Sequence, residues 1–65
     1  MNASFLISNM RGLFKLDKLS TDRVVALRDD LLRRLPLAAN PLNRRDSQAL
    51  VDACNAVLAE RANSA

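Results

Sequence analysis

The stretch LSTDRVVALRDDLLRRLP, residues 19–36, decides the fold. Val24, Leu27, Leu31 and Leu35 recur at the three- and four-residue spacing of one helical face, with Val25, Arg28 and Leu32 on an adjoining stripe. Ser20 is placed to cap the N-terminus and Leu19 to staple onto Val24. Asp22 puts negative charge in the first turn, where the helix dipole favours it. Arg33 and Arg34 fall in the last turn, and Pro36 stops the pattern. Asp29 with Arg33 and Asp30 with Arg34 are acid-first i, i+4 pairs, each worth about 0.2–0.5 kcal/mol, and they mark a solvated outer face. The spacing predicts a helix over 21–35. Leu32, beside that face, widens the apolar arc beyond what one neighbouring helix needs and points to a second packing surface.

Upstream, Leu6, Ile7, Met10, Leu13 and Phe14 share a helical face and predict a helix over 3–16, which Asn2 or Ser4 is able to cap. Gly12 weakens it by up to about 1 kcal/mol relative to alanine. A strand over Ser4–Ser8 competes, because Phe5, Leu6 and Ile7 suit a sheet, although strict alternation is missing. Downstream, 36–44 reads as a connecting turn in which Asn40 and Pro41 also form an N-cap followed by proline. Asn43 or Asp46 is the expected cap of a third helix over 45–62. Its apolar face holds Leu50, Val51, Cys54, Val57 and Leu58, and Ala49, Ala53 and Ala56 permit close backbone approach. Residues 63–65 are expected to fray. The expected fold is all-α, a single small helical domain over 1–65 built from three amphipathic helices. The second and third form an antiparallel hairpin, the first lies across their groove, and two such hairpins dimerise into a four-helix core.

Size supports the expectation of association. A 65-residue chain buries only about 60% of its unfolded surface. The only aromatic residues are Phe5 and Phe14, so the core is expected to be a thin one of leucine, valine and alanine. Cys54 is the sole cysteine, which excludes an intramolecular disulfide and fits a reducing, cytoplasmic setting. Phe5, Leu6 and Ile7 make too short an apolar run for a secretory signal, and no segment approaches the roughly 20 apolar residues that span a membrane. Arg11 and Lys15, with no acid before residue 17, give only a faint likeness to an organellar transit peptide. The net charge of +3 is concentrated early: residues 1–19 hold three basic side chains against one acid, whereas the region after residue 35 is balanced.

The chain contains no histidine, and the helical phase of Cys54 points inward, which removes the usual nucleophile and base. Asp29, Asp30, Asp46, Asp52 and Glu60 fall on polar faces, several of them near arginine, and none has calcium-loop spacing. The expectation is therefore a non-enzyme with no catalytic residue, cofactor, metal or small-molecule substrate. A protein–protein interaction module fits better: a small regulator, inhibitor or adaptor, acting as a homodimer. Phe5, Ile7, Met10 and Phe14 are the expected contacts, with Arg11 and Lys15 steering an acidic partner, either another protein or a second copy. Insertion of the same segment at an anionic membrane surface is a weaker reading.

The alternative is a small dimeric nucleic-acid-binding transcriptional or plasmid/phage regulator, with Arg33, Arg34, Arg44 and Arg45 as a basic patch. No stacking aromatics or glycine-rich phosphate loop accompany these arginines. A strand over Ser4–Ser8 ahead of two helices would be similar in element order to the ribbon-helix-helix repressors. Their base-reading strand is polar or basic, whereas this one would present Ser4, Leu6 and Ser8 or Phe5 and Ile7, and no glycine turn joins the helices. In size and pattern the chain resembles the small dimeric helical hairpins of plasmid and phage regulators, a likeness of architecture with no motif behind it.

Overall fold

Three α-helices carry the chain: α1 (Ala3–Leu13), α2 (Thr21–Arg34) and α3 (Pro41–Ser64), joined through single 3₁₀ turns at Leu16–Lys18 and Leu35–Leu37. The computed structural model describes residues 3–37 and 39–64, and no strand occurs among them. The competing strand over Ser4–Ser8 is thus replaced by the first two turns of α1. Asn2, one of the expected caps of that helix, lies outside the described residues.

In α2, local chemistry acts where the spacing places it. Ser20 is extended at the N-cap, and its Oγ accepts the backbone N–H of Arg23 at 3.2 Å. Val24 is buried, and Leu19, Leu27 and Leu31 pack around the core. Asp30 pairs with Arg34 at 3.2 Å and more loosely with Arg33 at 3.6 Å. The expected pair of Asp29 with Arg33 does not form. Asp29 is taken instead by its neighbour Arg28 at 3.1 Å.

The third helix starts earlier than its apolar pattern suggests. Asn40 is the true cap, its Oδ1 accepting the N–H of Leu42 at 2.8 Å, and Pro41 occupies the first helical position, where a missing N–H costs nothing. The expected caps Asn43 and Asp46 therefore lie inside α3, and the connection shortens from 36–44 to 35–40. At the other end Asn63 and Ser64 remain helical, with Ser64 Oγ donating to the Glu60 carbonyl at 2.9 Å. Ala38 and Ala65 fall outside the described residues. At about 1.5 Å per residue, α3 is roughly 36 Å long, which matches the molecule's longest dimension of 38 Å.

The first helix ends sooner than expected, at Leu13 and not at residue 16, because Lys15 adopts the left-handed conformation (φ 52°, ψ 46°). That conformation costs a non-glycine residue of order 1–2 kcal/mol. The turn it creates drives Leu16 into the core with no exposed surface and brings Asp17 back beside Arg11. Gly12, by contrast, has ordinary helical geometry, and a Cβ there would meet nothing within 4 Å. Gly12→Ala is therefore expected to stabilise the fold by about 0.5 kcal/mol. Thermal melting should show this as a rise of a few degrees.

α1 and α2 each pack chiefly against α3. This explains why α3 buries a wide arc: Ala49, Leu50, Val51, Ala53, Cys54 and Val57 are all enclosed. Ile7 and Met10 from α1, and Leu27, Leu31 and Leu58, pack around the cluster of Leu16, Val24, Leu50, Ala53, Cys54 and Val57. No aromatic residue belongs to it. Phe14 is 46% exposed and Phe5 68%. Of the two side chains with most apolar area to offer, Phe5 is thus largely left outside and Phe14 only about half covered.

Candidate functional site

Where the end of α1 approaches α2 and the start of α3, the packing leaves an open groove of about 450 Å³. Met10, Leu27, Leu31 and Leu50 line it as an extension of the core, and Leu13 and Phe14 line its α1 side. Leu13 is exposed because α1 terminates there, and Phe14 because the chain reverses at Lys15 before a further turn can cover it. Charged side chains belong to the two other walls: Asp30 and Arg34 come from α2, and Asp46 from α3. The arrangement is an apolar trough with a mixed-sign rim. It suits an apolar side chain held by flanking polar contacts.

A second, polar pocket of about 330 Å³ lies between the end of α1, the 3₁₀ turn and the end of α3, lined by Arg11, Asp17, Val57, Glu60, Arg61 and Ser64. Its charges are mutually engaged. Arg11 forks onto Asp17 (Nη2–Oδ1 2.6 Å, Nε–Oδ2 3.0 Å) and onto Glu60 (Nη1–Oε2 2.6 Å, Nη2–Oε1 2.9 Å). Arg61 caps the connection between α1 and α2: Nη2 donates to the carbonyls of Leu19 (2.7 Å), Leu16 (3.3 Å) and Asp17 (3.4 Å), and Nη1 to Thr21 Oγ1 (3.1 Å). This pocket is a clasp that ties the chain's first turn of direction to its last helix.

The hydrogen bonds from Arg11 hold the carboxyls of Asp17 and Glu60 below their usual range and raise the guanidinium's own pKa. A carboxyl depressed in the folded state contributes stability above its unfolded pKa and loses it as pH falls through the folded value. Urea midpoints are therefore expected to vary little between about pH 5 and 7, where this chain has no histidine to titrate, and to fall below about pH 4. Arg11→Met should shrink that acid dependence. An unchanged acid limb in the variant would show that the clasp adds nothing to it.

The expected contact residues divide. Phe5 and Phe14 are exposed, Ile7 and Met10 are half-buried against the core, Arg11 is committed to the clasp, and Lys15 is the exposed left-handed residue of the turn. Of the four arginines in the nucleic-acid alternative, Arg33 and Arg34 share Asp30, and Arg45 pairs with Asp46 at 3.1 Å. Arg45 lines a crevice with Leu6 and Ile7, whereas Arg34 lines the groove. Among the described residues, the side chain of Arg44 has no hydrogen-bond or ion-pair partner.

Cys54 is fully enclosed, and burial pushes its thiol pKa up, away from the reactive thiolate. Among the described residues, no group of three or more His, Cys, Asp or Glu side chains is placed to hold a metal ion, and no helix is long and apolar enough to cross a membrane. Comparison with known proteins finds no matching family model, no matching curated protein and no matching solved structure.

The clasp was missed from the sequence. Its signals were negative ones: Arg11 has no acid among residues 1–16, and Arg61 has Val57 and Leu58 where a helical partner would stand. An arginine without a partner one turn away is a candidate for a distant one.

Proposed function

We infer that this chain is a non-catalytic protein–protein interaction module, a small regulator, inhibitor or adaptor that works by occupying a partner's surface. The observation that carries this reading is the trough of Met10, Leu27, Leu31 and Leu50 left open beside a half-exposed Phe14 and an exposed Leu13. Interface cores are rich in aromatic residues, methionine and arginine, and the trough presents Phe14, Met10 and Arg34 together. The contact set proposed is thus Leu13 and Phe14, with Met10 and Leu31 as floor. Phe5 adds a separate exposed apolar side chain, and Ile7 and Arg11 serve the fold. The platform behind the trough is read as an antiparallel hairpin of α2 and α3. Supporting this, Thr21 at the start of α2 meets Arg61 near the end of α3, while Leu31 and Arg34 share the groove with Asp46 and Leu50 near its beginning.

The test is site-specific photo-crosslinking in cells expressing the full chain, with the photoreactive residue at Leu13 or, as a control, at the exposed Asn55 on α3. Adducts are expected from position 13, absent from position 55 and abolished by Leu31→Asp in a variant that keeps its helicity. Equal adducts from both positions, or none from position 13, would overturn the reading.

A further inference from the structure

We propose that the occupant of this groove is a second copy of the same chain, related by a two-fold axis running along the groove. The inference rests on the interaction reading above and specifies its partner. Two observations favour self-association. The first is area. The chain exposes 4643 Å², whereas a compact monomer of 7.2 kDa is expected to expose about 4,100 Å². Its radius of gyration is 11.7 Å, against about 10.7 Å for a compact chain of this length. The excess, about 500 Å² per copy, belongs to the whole chain and not to the groove alone, so a pair that removed that much from water at the groove and the surface around it would bury about 1,000 Å² in total, the size at which a specific interface becomes credible.

The second observation is the sign pattern of the rim. A strongly acidic or strongly basic occupant requires a rim of one sign, but this one is mixed, with Asp30 and Arg34 on the α2 wall and Asp46 on the α3 wall. A two-fold axis along the groove exchanges the walls, because in a two-fold interface residue i meets j and j meets i. Arg34 of each copy, which already pairs with its own Asp30, then faces Asp46 of the other, which already pairs with its own Arg45, giving two opposite-sign contacts between the copies. Leu13 and Phe14 of each copy are covered by the apolar trough of its mate.

This register has a consequence that few other arrangements share. Arg34→Asp alone opposes carboxylates at both rim contacts, and Asp46→Arg alone opposes guanidiniums at both. Mixing the two variants restores opposite signs at both positions. Both side chains are substantially solvent-exposed in the single chain, so neither change should unfold it. Circular dichroism checks that it does not. The experiment is analytical ultracentrifugation of the 65-residue chain from about 1 μM to about 1 mM. Wild type is expected to dimerise, each single variant to associate at least about tenfold more weakly, and an equimolar mixture to recover. A helical Phe14→Asp variant should be monomeric.

A wild-type chain that stays monomeric to about 1 mM overturns the second-copy assignment. So does a dimer indifferent to Phe14→Asp, or a mixture that fails to recover. The crosslinking result then separates the two levels. Adducts from position 13 to a different protein would leave the groove a binding surface with another occupant, and their absence would remove the binding surface itself.

Discussion

Leu16→Ala is expected to destabilise the fold by about 2–5 kcal/mol, the usual range for removing a leucine from a site that cannot collapse. A chain of this length has a total stability of only about 3–10 kcal/mol, so the loss removes a large fraction of it. Leu16 belongs to no α-helix. It sits on the 3₁₀ turn after the left-handed Lys15, and its side chain is fully enclosed with Val24, Leu50, Ala53, Cys54 and Val57. That position makes it the only core member supplied by the connection between α1 and α2, and it anchors both helices to α3. Urea denaturation followed by circular dichroism measures the loss, and Leu16→Met, which nearly conserves volume, should cost less than about 1.5 kcal/mol. An alanine variant as stable as wild type would mean that the turn is not docked in the core.

Sequence reasoning could not see this role for Leu16. In the helical pattern it continues the face of Leu13, and the rule for ending a helix looks for glycine in the left-handed position. Here Lys15 takes that position, while the chain's one glycine, three residues earlier, is plainly helical. The turn exists because distant gains offset its local cost: burial of Leu16 and the meeting of Asp17 with Arg11. α2 is the opposite case. Its cap, its spacing and the Asp30 pair with Arg34 are all local, and all of them were legible. The start of α3 was legible in its chemistry, through Asn40 and Pro41, but Leu42, Asn43 and Arg44 are exposed and supply no apolar periodicity to extend the helix back.

The candidate site was half legible for a related reason. Helical phase identified Met10, Leu13 and Phe14 as one apolar face, but it cannot say which of them another element covers. That depends on where α1 stops and on the angle at which α3 meets it. Ile7 and Met10 went to the core, and Leu13 and Phe14 did not. Arg11 read as a free cation because its partners stand 6 and 49 residues away.

Arg61→Ala should be the most damaging substitution of a charged residue, at about 1.5–3 kcal/mol. One guanidinium serves the carbonyls of Leu16, Asp17 and Leu19 and the hydroxyl of Thr21. The bonds to Leu16 and Leu19 are partly buried, so truncation leaves acceptors that water reaches poorly. Arg61→Lys should recover only a minority of the loss, because an ammonium is a single point and cannot span acceptors on both sides of a planar fork. Thr21→Ala removes one exposed contact and should cost no more than about 0.5 kcal/mol. The sharper test is coupling. If Arg61 acts by holding the 3₁₀ turn in place, it works through the same docking that buries Leu16, and the two losses cannot both be counted in full. The double variant Leu16→Ala with Arg61→Ala is then expected to lose less than the sum of the singles by about 1 kcal/mol, as neighbours in one network do. Strict additivity in urea denaturation would show that Arg61 braces the end of α3 independently of the turn it touches.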